Sequence, residues 1–351
     1  MQTIPLSRPS ITKEEKMAVT AVLNTGWIVE GQERDAFEQE FAQFIGAPYV
    51  RVTDGATSAL FLSLKYLSIE PGDEVILPSL TFTATAEVVL HCGALVVFAD
   101  VRPFPDMTLD PDDVARKRTK KTKAVIPVHM AGHMAHRVYD LPVIEDSAHL
   151  IRKGCFGGNL MAFSFHATKV MTTGRGGAVA TNEKEAAEWF SKARDFGMTK
   201  TIAQRIENQS SEYDIAFPGW SHQMIDIAAA IGRVQLKRLP ELLSKRQGIL
   251  EMYNELLGEN NTGLYIYPIL VQDRDDFVAF MAREGIQCSV HFRPLHTMTA
   301  FREFHAKLPQ TEWIGAHIVS LPLFPDLSQS DVQRVAEFVR QWRAQHPLAI
   351  K

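Results

Sequence analysis

The chain has 351 residues, 46% hydrophobic and 22% charged, with a net charge of -4. That length suits two domains with sizeable cores, and the slight acidic balance argues against a nucleic-acid binder. Its three cysteines, Cys92, Cys155 and Cys288, have no CxxC spacing, which speaks against a zinc site or a disulfide framework. The start, Met1-Gln2-Thr3-Ile4-Pro5, lacks a signal-peptide pattern and no apolar run is long enough for a bilayer, so the expectation is a cytoplasmic protein without membrane contact.

In chain order, Thr12 and Glu15 form a capping box that opens a helix, which Gly26 can end. A second helix carries Phe37, Phe41, Phe44 and Ile45 at helical spacing and stops at Gly46-Ala47-Pro48. Strand-like runs follow at 49–53, 74–77, 95–100, 124–128, 143–145, 161–165 and 177–181, with helical segments between several of them. This alternation predicts an α/β fold with a mostly parallel sheet. A helix containing Ala228-Ala229-Ala230 is expected over 225–239, and a longer one after Leu239-Pro240 through Leu256. The remainder reads as a smaller α+β domain with helices at 275–285 and 330–345, giving domains 1–239 and 240–351. Only eight residues separate Gly132 from Leu141, short for a parallel crossover. Either its helix is replaced by a loop or the flanking strands are not neighbours.

Four segments carry chemistry. The first, Val52-Thr53-Asp54-Gly55-Ala56-Thr57-Ser58, leads small residues into a helix whose free N–H groups can hold a phosphate. The second places Phe82 just beyond the strand at 74–77, where an aromatic face can stack on a planar ring. In the third, Ile144-Glu145-Asp146-Ser147-Ala148-His149, Asp146 ends a strand, on the side where open α/β sheets bind ligands. A carboxylate there can keep a pyridine nitrogen protonated, and His149 could face the same ligand. The fourth is Phe163-Ser164-Phe165-His166-Ala167-Thr168-Lys169, followed by the glycine-rich turn Gly174-Arg175-Gly176-Gly177. A lysine delivered by an apolar run is a candidate for a desolvated, Schiff-base-forming amine. Each alone has a plainer reading as a capped helix, a core aromatic, a helix cap or a solvated lysine. Their combination and order are what carry weight.

Together with Leu6-Ser7-Arg8-Pro9, Thr25-Gly26-Trp27-Ile28 and Leu321-Pro322-Leu323-Phe324-Pro325, they make the chain resemble, almost end to end, the DegT/DnrJ/EryC1/StrS sugar aminotransferases. The resemblance implies a fold type I transferase using pyridoxal 5'-phosphate (PLP). Lys169 would form the Schiff base and Asp146 pair with the pyridinium. His149 would sit by the ring, with Phe82 stacked on it, and Ala56, Thr57 and Ser164 would hold the phosphate. The implied partners are glutamate as amine donor and a nucleotide-linked keto sugar, aminated at C4, as acceptor. Arg293 and His296, in His291-Phe292-Arg293-Pro294-Leu295-His296, are the candidates for contacting it. The family works as a homodimer with shared sites. Ser221 stands where a partner-chain Asn or Lys completes the phosphate pocket, and the segment around it with Ala228 to Ala230 is the candidate interface. Further departures are Arg175, where Glu is commoner, the missing crossover, and a shortened loop at Gly154-Cys155-Phe156-Gly157-Gly158-Asn159. Two alternatives remain: a cyclitol aminotransferase, and a non-catalytic regulator, which would have no use for the intact set of Lys169, Asp146 and Thr57.

Overall fold

The computed structural model describes residues 3–209 and 211–348. Two helices, α1 (Lys13–Thr25) and α2 (Gln32–Ile45), precede β1 (Tyr49–Thr53). Next come α3 (Ala56–Tyr66), β2 (Glu74–Pro78), α4 (Ala84–His91), β3 (Leu95–Ala99), α5 (Pro111–Lys117) and β4 (Thr122–Val125). The strands β5 (Ile144–Asp146), β6 (Leu160–Ser164) and β7 (Gly177–Thr181) follow, then α6 (Lys184–Ala193) and α7 (Ile202–Glu207). The C-terminal part comprises α8 (Asp226–Leu257), β8 (Tyr267–Leu270), α9 (Arg274–Arg283), α10 (Pro309–His317), β9 (Ile318–Leu321) and α11 (Gln329–Gln345).

Two ladders, β3-β2-β4 and β5-β6-β7-β1, are joined by the parallel bridges Val125–Val143 and Val128–Asp146. The resulting order is β3-β2-β4-β5-β6-β7-β1, with β7 running against the rest. This is the mostly parallel sheet expected from the alternation of strand and helix signals. The capping box at Thr12/Glu15 and the glycine stops at Gly26 and Gly46 are all present.

One helix boundary needs correction. Residues 226–257 form a single helix, with Pro240 inside it. Proline breaks helices by removing an N–H and crowding the preceding turn. Here packing overrides that preference: Leu236 and Leu239 are buried in the sheet's core, while Ile249, Leu250 and Tyr253 are buried among β8, β9 and α11.

Strands β4 and β5 are neighbours, and the crossover between them holds no α-helix, only a short turn at Met130–Gly132. A buried polar network takes the helix's place. Glu145 Oε2 meets His129 Nε2 at 2.8 Å and Arg137 Nε at 2.7 Å, and Asn159 Nδ2 donates to Glu145 Oε1 at 2.9 Å. Arg137 also donates to the carbonyl of Cys155 at 2.8 Å. A Cβ on Gly157 would lie 2.3 Å from Arg137 Cζ, so this glycine leaves the space the guanidinium fills. The absent crossover helix and the short 154–159 loop are therefore two halves of one contact.

Candidate active site

Asp146 ends β5 and is buried. Its Oδ2 accepts a hydrogen bond from the Thr85 hydroxyl at 2.8 Å and its Oδ1 from the Ala148 N–H at 3.0 Å. Thr85 lies in the first turn of α4, and its own oxygen is 3.0 Å from Thr81 Oγ1. The carboxylate is thus oriented by donors at its strand end, where a parallel sheet opens to ligands.

Lys169 follows β6 in a turn and is half-buried. Its Nζ donates to Tyr265 Oη at 3.0 Å and stands 4.1 Å from the centre of that ring. His149 packs on Tyr265 with ring centres 4.2 Å apart, and Phe292 stacks on His149 at 5.8 Å. The Ala131 N–H donates to His149 Nδ1 at 3.3 Å, which assigns the ring proton to Nε2. Burial, with Lys169 nearby, holds the His149 imidazole well below its ordinary pKa, so it is neutral at pH 7. His291 bonds Ser320 Oγ through Nδ1 at 2.9 Å, and burial followed by the Lys169 charge lowers it to about 4.

Phe82 faces this group from the sheet side, 6.1 Å from Phe292 and 59% exposed, so one ring face is open to a planar ligand. The N-terminus of α3 has Gly55 as its cap, with no side chain bonded to the first N–H groups. Gly177 pairs with both Thr53 and Ser164, and a Cβ there would come within 2.4 Å of Ala56 N. Glycine at 177 therefore lets the strand that pairs with Ser164 run close against the start of α3 at Ala56. Uncapped N–H groups, two hydroxyls, an open aromatic face, a buried carboxylate and a lysine amine together fit pyridoxal phosphate.

Three further expected residues are engaged by other parts of the chain. Ser221 is exposed, paired with Asp195 through a single bridge, and its neighbour His222 accepts from Asp54 N–H through its carbonyl at 3.1 Å. Arg293 is exposed and 3.6 Å from Asp275. His296 is buried, with Nδ1 2.7 Å from Ser79 Oγ and Nε2 3.5 Å from Glu312. Its ring is thus engaged at the end of β2.

Sequence reasoning missed Thr85 and Tyr265. Thr85 stands three residues beyond Phe82 and one helical turn after Thr81, and that hydroxyl spacing was a usable signal. Tyr265 lies 96 residues from Lys169 in an apolar run and offered none.

The family profile of the DegT/DnrJ/EryC1/StrS aminotransferases matches residues 9–340. Among solved structures, Helicobacter pylori PseC, an aminotransferase involved in the biosynthesis of pseudoaminic acid, is 27% identical, with 98% of this chain and 100% of that one covered at a TM-score of 0.88. The aminotransferase TlmJ from Streptoalloteichus hindustanus is 30% identical over 97% of this chain and 99% of that one, also at 0.88. Spr1654 from Streptococcus pneumoniae, solved in PLP and PMP forms, is 28% identical at 0.89, with 98% of this chain and 99% of that one covered by the PLP form. The chain that sets Lys169 against Tyr265 and Asp146 against Thr85 belongs to the DegT/DnrJ/EryC1/StrS aminotransferase family.

Proposed function

We propose that this aminotransferase, with pyridoxal phosphate as its cofactor, moves an amine from glutamate to a nucleotide-linked keto sugar at C4. The carrying observation is the Lys169 amine, donating to the Tyr265 hydroxyl whose ring packs on His149, three residues beyond the buried Asp146 carboxylate. Sugar aminotransferases among the similar structures, such as CalS13 from Micromonospora echinospora, support the acceptor class.

Each residue then has a task. Ala56, Thr57 and Ser164 bind the phosphate, with Ser221 added from a second copy of the chain. Phe82 and His149 flank the ring. Asp146 holds a proton on the pyridine nitrogen, and Lys169 Nζ anchors the cofactor and carries the proton between the two reacting carbons. The cofactor supplies the electron sink for the carbon that loses its proton. Arg293 offers a planar fork for the acceptor's diphosphate. His296, through Ser79, braces the segment that carries Arg293. The division into 1–239 and 240–351, the homodimer and a cytoplasmic location belong to the same reading. The cluster around Ile249, Tyr253 and Val335, drawn almost wholly from 240–351, supports the two-part organisation.

The test is a pair of half-reactions. The protein should lose its cofactor absorbance with glutamate, and a UDP-4-keto sugar should restore it at least tenfold faster than pyruvate. Arg293→Ala should slow the sugar step about tenfold and spare the glutamate step. Equal losses in both steps, or no reaction with any nucleotide sugar, would overturn the acceptor assignment. Reaction with a cyclitol ketone instead would give the enzyme to that class.

A further inference from the structure

Arg246, on α8, is a fully enclosed cation that forms no ion pair among the described residues. Its Nη1 donates to the carbonyls of Leu264 and Tyr265, each at 3.3 Å, and of Leu323 at 2.8 Å, while its Nε is buried without a partner. Burial pushes the guanidinium down to about 10. Taking a cation out of water without a counter-charge is costly, and an apolar side chain would fill the same volume more cheaply. What this arrangement does is pin the backbone of Tyr265. The other end of Tyr265 holds Lys169 Nζ at 3.0 Å, and its ring is packed on His149.

We propose that Tyr265 is the docking point for the Lys169 amine whenever that amine is free of the cofactor, and that Arg246 is the positioning residue that keeps Tyr265 in place. The proposal rests on the transamination reading above. Over one full turnover the lysine must leave the cofactor in the first half-reaction, move a proton between two carbons in each, and return to it in the second. A free lysine chain explores many rotamers, and holding it costs that freedom. A hydroxyl acceptor beside the cofactor's position keeps the amine within reach. Neither substrate touches Tyr265 in this scheme, so both half-reactions depend on it equally.

The decisive variant is Tyr265→Phe, which keeps the ring on His149 and removes the oxygen. Both half-reactions should slow by the same factor, about tenfold, with KM for each substrate unchanged. In the cofactor-free protein, labelling of Lys169 by trinitrobenzenesulfonate should rise several-fold relative to other lysines, as read by peptide mapping. Arg246→Met should raise it likewise, and Arg246→Lys, which retains a donor, should restore part of the protection. Unchanged Lys169 labelling in Tyr265→Phe, a loss confined to one half-reaction, or a raised KM for one substrate would overturn the docking role. Wild-type labelling in a folded Arg246→Met variant would overturn the role of Arg246. Failure of the transamination reading is separately visible: borohydride reduction of the PLP-loaded wild type would then tag no Lys169, whatever the cofactor-free labelling shows.

Discussion

At position 146 the charge matters more than the shape. Asparagine can accept the Ala148 N–H bond on its one oxygen and donate its amide to the Thr85 hydroxyl instead of accepting from it. It cannot hold a proton on a pyridine nitrogen. Asp146→Asn is therefore expected to bind PLP, though more weakly, and to lose turnover about a thousandfold or more, as judged by cofactor titration and steady-state rates. Wild-type turnover would reduce Asp146 to a structural cap. Lys169 and Asp146 were legible because each directly follows an apolar strand, and strand ends are where such sheets place ligands. Tyr265 was not, since one tyrosine in an apolar run reads as core and its partner is remote in sequence.

At the scale of elements, the crossover between β4 and β5 shows how a helix can be dispensed with. Glu145 is fully enclosed, and burial alone would raise its pKa. The hydrogen bond from His129, the bond from Asn159 and the Arg137 charge outweigh burial and hold it below the ordinary carboxylate range. Arg137→Leu would leave this charge short of a partner, at a cost of about 3 kcal/mol at pH 7. A carboxylate depressed in the folded state stabilises above its unfolded pKa of 4.5 and loses that contribution as pH falls. The variant's deficit should therefore shrink towards pH 4, where protonation removes the stranded charge. Denaturant melts of both proteins at pH 7 and pH 4 check this, and an equal deficit at both would deny the charge its role. From sequence, the missing helix and the short loop read as separate departures. Their union depends on Arg137 reaching across to Cys155 and Glu145, a tertiary contact that no local pattern announces. Pro240 misled for a related reason: its local preference for ending a helix was real, but two cores hold the helix together across it.

For the whole molecule, the seven strands of the sheet were legible from their apolar runs, whereas their order comes from pairing between distant segments. Assembly is the larger question. Phe196, Ile202, Ile206, Tyr213, Ile215 and Ile225 are all exposed within one stretch of chain. Large apolar side chains clustered this way favour an association surface. The alanines expected to share in it are less available, since Ala229 and Ala230 are buried inside the chain. Sedimentation should show a homodimer at micromolar concentration, and a stable, active monomer would refute it. If Ser221 of a second copy reaches the phosphate, Ser221→Asn should tighten PLP binding several-fold, measured by equilibrium titration.

The continuous α8 gives the molecule a beam rather than a linker. Its first half is embedded against the sheet and its second half in the C-terminal core. Any swing of one part against the other must bend this beam, and Pro240 already deprives the Leu236 carbonyl of its helical donor near that junction. Arg246 stands six residues further on, about 9 Å along the axis. Flexing at the proline would carry Arg246, and through it the backbone of Tyr265, relative to Lys169. The flexing of one helix would then set how firmly the Lys169 amine is held.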